Sequence, residues 1–241
     1  MNLDALLEEL VTANRILATE GVVDSFGHIS VRHPENPQQF LLSRARAPDC
    51  IEDEDIMTFA LDGTPIDAGD RKPYLERFIH GGIYEARPDV LSVVHNHSPS
   101  VIPFGITGKK LKPLLHMCAS IGHEVGTWDS QDKFGDTALL VENVEMGREL
   151  ARFLGPQRTA LMRGHGAVVV GTSIRHAVFV SIYLEVNAKL QMQAMAMGDI
   201  KYLSPGEVDK IAARTGPYTL NRAWENWCRR ANRPARPEPE N

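Results

Sequence analysis

Apolar residues recur every three to four positions at the start of the chain: Leu3, Leu6, Leu7, Leu10, Val11, Ile16 and Leu17, with Gly21 behind them. That period lays one apolar stripe along a helix over residues 3–20, and the glycine ends it. The pattern then changes to alternation. Gly27 precedes His28-Ile29-Ser30-Val31-Arg32, a strand in which His28 and Ser30 share a face. The glycine either permits close approach of a ligand or another backbone or serves an ordinary turn. After a polar, proline-containing loop, Phe40-Leu41-Leu42 is a second strand, and it runs into Ser43-Arg44-Ala45-Arg46-Ala47-Pro48. Residues 55–60 with Leu61-Asp62-Gly63 read as a strand and turn of a meander. Residues 73–86 predict a helix with Pro73 near its start, Glu76 in its first turn and Arg87-Pro88 at its end.

The β-branched run before His95-Asn96-His97-Ser98 predicts a strand. A region punctuated by glycine and proline follows, then a short helix at 114–119, a strand at 136–141 and a helix over 144–154 closed by Gly155. Residues 159–171 read as strand, glycine-flanked turn and strand, with His165 between Gly164 and Gly166. A long helix over 174–197 stops at Gly198, and Ser204-Pro205-Gly206-Glu207 is a capping box that starts another. Trp224 and Trp227 mark the buried face of a last helix, and the proline-rich tail 233–241 is expected to be disordered. Helices and strands interleave without a regular βαβ period or a Gly-x-Gly-x-x-Gly fingerprint, so a doubly wound nucleotide-binding sheet is unsupported. The expected class is α/β: a layered α/β/α single domain over residues 1–232, its central sheet mostly antiparallel or mixed and flanked by helices.

Composition narrows the field. The 241 residues are 43% hydrophobic and 24% charged, ordinary values for a globular chain. A net charge of −5 gives a nucleic acid or an anionic membrane no basic footprint. No apolar run approaches the ~20 residues of a membrane span, and the acidic, amphipathic start is unlike a signal peptide. Three widely spaced cysteines make neither a disulfide framework nor a Cys-x-x-Cys metal site, which points to a cytoplasmic protein.

Candidate chemistry gathers at the histidines. On a strand His95 and His97 project to one side with Cα atoms roughly 6.5–7 Å apart, close enough to share a metal ion at M–N distances of about 2.1 Å. The competing reading is a polar strand end. Ser43, Arg44 and Arg46, just past a buried strand, suit a carboxylate or phosphate clamp, since guanidinium forks match such anions. The competing reading there is a solvated loop paired with Asp49, Glu52 and Asp53.

Taken together, Gly27-His28-Ile29-Ser30-Val31-Arg32, Glu76 one helix ahead of Val94-His95-Asn96-His97, and Gly164-His165-Gly166 resemble the class II aldolase/adducin family over roughly residues 3–200. The resemblance implies an α/β/α fold, a homotetramer with active sites between subunits, and one divalent ion (Zn2+, Mn2+, Co2+ or Fe2+) held by His95, His97 and His165. Glu76 would be the catalytic carboxylate beside it. Two departures bear on substrate. The sugar-phosphate aldolases of the family carry an Asn where His28 stands and a pair of Ser where Tyr74-Leu75 stands, so a phosphorylated sugar is disfavoured. His28, Arg44 and Arg46 would supply cationic donors, and Tyr74 a flat surface for a ring. His116 falls near the place of a Tyr that the aldolases lend from a neighbouring subunit as proton donor; a buried helix histidine is the alternative. The expectation is a metal-dependent decarboxylase of a hydroxylated aromatic or ring-cleavage-product dicarboxylate, working through a stabilised carbanion. The alternatives are an aldolase acting on an unphosphorylated hydroxy-keto acid and a non-catalytic, adducin-like scaffold.

Overall fold

A computed structural model of the chain describes residues 3–236. Helix α1 (Leu3–Thr19) leads into strands β1 (His28–Arg32), β2 (Gln39–Ser43) and β3 (Ile56–Ala60). Helix α2 (Arg77–Ala86) and strand β4 (Ser92–Asn96) follow, then α3 (Ile102–Thr107), β5 (Gly126–Trp128), the single turn α4 (Gln131–Phe134) and α5 (Val144–Leu154). The hairpin of β6 (Thr159–Met162) and β7 (Gly166–Gly171) precedes α6 (Ile174–Met197), α7 (Pro205–Ala212) and α8 (Pro217–Arg230).

The strands form one sheet in the order β3-β2-β1-β4-β7-β6-β5. Only β5 and β6 pair in parallel, so the sheet is mixed and mostly antiparallel, as the alternation and hairpin spacing predict. The two-residue period divides its side chains. Ile29, Val31, Leu41, Val94 and Val169 meet α1, α6 and α8 on one face, and Phe40, Leu42, Val93, Val168 and Val170 meet α2 and α5 on the other. Each such side chain, once buried, contributes roughly 1.5–3 kcal/mol. His28, Ser30 and His95 belong by alternation to the α2 face, an apolar layer into which the sequence has set polar groups.

The sequence reading has no counterpart of α3, β5 or α4, and three of its expected elements differ in the structure. Helix α2 begins at Arg77, with Glu76 as its N-cap rather than in its first turn. Ahead of it the chain is tied to the β2–β3 loop: Ala45 N–H donates to Lys72 O, and the Tyr74 hydroxyl donates to Arg46 O. Residues 136–141 form no strand; Leu139 takes a left-handed φ of 63°, which breaks an extended run. The helix expected at 114–119 is a 3-10 segment, His116–Ile121. Of the expected disordered tail, residues 233–236 lie on the body, where Arg233 N–H donates to Cys228 O and Arg236 O accepts from Arg175. Residues 237–241 lie outside the described residues. None of the described helices is long and apolar enough to cross a membrane.

Candidate metal centre

The site lies at the centre of the sheet, where His28 of β1, His95 of β4 and Val168 of β7 stand in one row. His97 extends past the end of β4, and His165 comes from the tight turn joining β6 to β7. Two glycines let these backbones close. A side chain on Gly166 would meet Asn96 O at 2.1 Å and the His97 ring at 3.0 Å. One on Gly27, whose φ is +90°, would meet His95 O at 3.0 Å. Of the two readings open for Gly27, approach by another backbone is the one observed.

Glu76, His95, His97 and His165 bring one ligand atom each within 4.8 Å of one another. The Nε2 atoms of His95 and His97 lie 3.1 Å apart, and Glu76 Oε2 stands 3.5 Å from His95 Nε2 and 3.4 Å from His165 Nε2. The set fits a divalent cation. His95 Nδ1 lies 3.2 Å from Ala167 O, a carbonyl to which only an N–H can donate, so the Nε2 lone pair is left facing its neighbours. Three imidazoles beside a carboxylate, with no thiolate, are the donor set of a catalytic rather than a structural site. His165 Nδ1 is buried without a hydrogen-bond partner among the described residues, which leaves that ring held chiefly by what its other nitrogen faces.

Electrostatics follow from this crowding. Burial pushes His95 down to about 3, assisted by His165 and His97 and opposed by Glu76. Burial lowers His97 as well. For Glu76 burial resists ionisation, but His95, His165 and the Val141 N–H, which donates to Oε1 at 2.9 Å, override it and hold the carboxyl below its usual range. His80, buried on α2, is also pushed down to about 3 by desolvation. Unfolded histidines take up a proton near pH 6.5, whereas folded His80 and His95 refuse it until about pH 3. Their contribution to stability is therefore complete above pH 6.5 and lost as pH falls toward 3, by up to about 1.4 kcal/mol per pH unit for each. Urea midpoints of the chelated protein should fall steeply between pH 7 and pH 5; equal midpoints would contradict buried neutral imidazoles.

The remaining candidates divide. His28 is buried, its ring 4.5 Å from Tyr74 and 5.2 Å from His95, and burial holds it well below its ordinary value. It is therefore a neutral group, not the cationic donor expected of it. Arg44 and Arg46 both pair with Asp55, an acid that neither reading of that loop had named, and Ser43 is buried at the end of β2 beneath them. Burial opposes the charge on Asp55, and the two guanidinium groups with the Glu52 amide bring it down to about 2. The clamp adjoins the cluster through Tyr74, whose hydroxyl bonds Arg46 O while its ring packs on His28. His116 is exposed rather than buried in a helix, and lines a surface cavity with Tyr183, Tyr218 and Arg222 that none of the four cluster residues borders. Sequence reasoning missed Asp55, His80, Val141 and the exposed Phe26, whose ring lies 6.5 Å from His97.

The profile of the Class II Aldolase and Adducin N-terminal domain matches residues 8–192. The chain belongs to that family. As a class II aldolase relative it is 35% identical to the decarboxylase tropJ of Talaromyces stipitatus, over 95% of this chain and 96% of that one. It is 28% identical to the 3,4-dihydroxyphthalate decarboxylase of Arthrobacter keyseri, over 91% of each. Its fold superposes on L-fuculose 1-phosphate aldolase from Glaciozyma antarctica with a TM-score of 0.75 and 27% identity, over 95% of this chain and 92% of that one. These relatives are lyases, and lyase activity is the enzymatic class they support for this class II aldolase homologue.

Proposed function

We propose that the chain is a divalent-metal-dependent decarboxylase of a hydroxylated aromatic, or ring-cleavage-product, dicarboxylate. The observation that carries this reading is the convergence of Glu76, His95, His97 and His165, with the Tyr74 ring packed on His28 beside it and Tyr74 bonded in turn to the loop of the Asp55-bound arginines. Where phosphate-handling relatives are expected to carry two hydroxyls, this chain has Tyr74 packed on His28, and Leu75 half exposed. Phe26, exposed beside His97, adds apolar surface next to the cluster.

An ion held by the three imidazoles supplies Lewis-acid polarisation of a substrate oxygen. The protein does the rest. Arg44 and Arg46 spend part of each guanidinium on Asp55 and keep other N–H groups for a substrate carboxylate. Tyr74 and Phe26 flank the ring, and burial of the cluster excludes water. Glu76 is anchored through Oε1 to Val141 N–H, which leaves Oε2 to take the proton of a substrate hydroxyl and pass it to the carbon that loses its carboxyl group. The C–C bond breaks, its electron pair stays with the ring, CO2 departs, and the oxygen left behind takes a proton from water on release. His116 takes part only if an adjoining subunit brings it to the cluster, so its role goes with a homotetramer of shared active sites; a cytoplasmic location fits the three free cysteines.

Purified protein loaded with Mn2+, Zn2+ or Co2+ is expected to release CO2 from 3,4-dihydroxyphthalate or another ortho-hydroxy aromatic dicarboxylate. Pyruvate and aldehyde from a hydroxy-keto acid, without CO2, would instead establish the aldolase reading, which shares its reaction class with L-fuculose 1-phosphate aldolase. Absence of both activities and of bound metal would restore the scaffold. Arg44→Ala should raise KM for the dicarboxylate about 10–100-fold, the worth of a charge-assisted hydrogen bond, with metal content unchanged. Equal loss of metal would show that the arginine does not serve the substrate.

A further inference from the structure

Behind His28 runs a buried row of hydrogen bonds that the decarboxylase mechanism does not use. His28 Nδ1 lies 2.6 Å from His80 Nε2, His80 Nδ1 lies 2.6 Å from Ser30 Oγ, and Ser30 Oγ lies 2.8 Å from the Tyr84 hydroxyl. Sequence periodicity builds it from two sides. His28 and Ser30 alternate onto one face of β1, while His80 and Tyr84, one helical turn apart on α2, are laid over that face. All four side chains are buried.

Such a row has one self-consistent sense. Among the described residues the Tyr84 hydroxyl has no acceptor besides Ser30 Oγ, and a buried O–H left unpaired is costly, so its hydrogen points at Ser30. Ser30 must then donate its own hydrogen to His80 Nδ1. With Nδ1 accepting, neutral His80 carries its hydrogen on Nε2 and donates to His28 Nδ1. His28 is left with its hydrogen on Nε2, the nitrogen for which no partner exists among the described residues. That ring stands between Tyr74 and His95, beside the cluster. A second proton on either imidazole would set two donors against each other along the row.

We propose that His80 is a positioning residue: it fixes the tautomer of His28, so that His28 Nε2–H is a permanent donor to a substrate oxygen that only accepts, namely a carboxylate. Part of this rests on the decarboxylase reading, which supplies the identity of the substrate. The placement of the hydrogen rests on the geometry alone.

The test uses the full chain loaded with Zn2+, a diamagnetic ion, and long-range 1H–15N spectra of the imidazole rings. The His28 signals are assigned by their loss in His28→Asn. His28 is expected to show a protonated Nε2 and a bare Nδ1. His80→Leu should convert it to a mixture of tautomers, and His80→Gln, whose amide can donate to His28 and accept from Ser30, should restore the single form. In steady-state decarboxylation His80→Leu should raise KM for a dicarboxylate about 10-fold with kcat changed less than about 3-fold, and His80→Gln should stay near the parent enzyme. A hydrogen found on His28 Nδ1 in the unaltered protein, or a tautomer indifferent to His80→Leu, would overturn the assignment. Failure to find a decarboxylated substrate would count against the decarboxylase reading and leave the spectra to decide the tautomer by themselves. Should His80→Leu not fold, the unaltered protein and His80→Gln still decide it.

Discussion

Replacing His165 by alanine is expected to weaken divalent-metal binding by more than about 100-fold, beyond the 10–100-fold that losing an outer hydrogen-bond partner costs, and to abolish turnover. The residue occupies a turn rather than a strand, and its backbone N–H bonds Met162 O whatever the side chain. The metal-free variant should therefore unfold within about 1 kcal/mol of the metal-free parent, as substitutions away from a packed core do. Metal analysis after dialysis, together with urea unfolding of both chelated proteins, checks the two halves separately. Retention of a full metal complement would mean that residues 76, 95 and 97 suffice and that the turn histidine has another task.

Glu76→Gln is the second large effect. The amide oxygen can still accept from Val141 N–H in the place of Oε1, so the loop 135–143 and the start of α2 should keep their positions. What disappears is a carboxylate able to carry a proton, standing 3.4–3.5 Å from two imidazole nitrogens. A loss of about 10²–10⁴ in kcat is expected, the range for a positioned acid–base group, with metal content near that of the parent because three imidazoles remain. If metal and activity fall together, Glu76 is a ligand in its own right.

Much of the fold is legible in the sequence, for reasons that particular residues make clear. Helix α1 carries an apolar period, α5 is closed by Gly155 and the Ala- and Met-rich α6 is stopped by Gly198, and the structure places all three where those signals do. His95 and His97 were readable because strand alternation fixes relative direction over two residues. His165 joins them only through the pairing of β4 with β7, a long-range register that local pattern does not encode and that the family resemblance supplied. Asp55 was hidden because it reads as one more acid in the run Glu52-Asp53-Glu54-Asp55, and only folding selects the member that turns inward to two arginines. Residues 136–141 misled because their apolar content suits a strand, whereas their backbone is bent at Leu139 and the Val141 amide is spent on Glu76. His80 was passed over as one more position of a helix. Its meaning came from what β1 sets opposite it.

The division of labour between rigid and adjustable parts has a practical consequence. The Glu76 and histidine side chains converge around the end of β4, where Gly27 and Gly166 pack too closely on its backbone to carry a side chain. Arg44, Arg46 and Tyr74 ride on two surface segments latched to each other by Asp55 and a tyrosine hydroxyl. Under the proposed function, those two segments form a unit that can be exchanged together to change the acid bound, while the cluster of Glu76 and the histidines beneath them keeps its geometry.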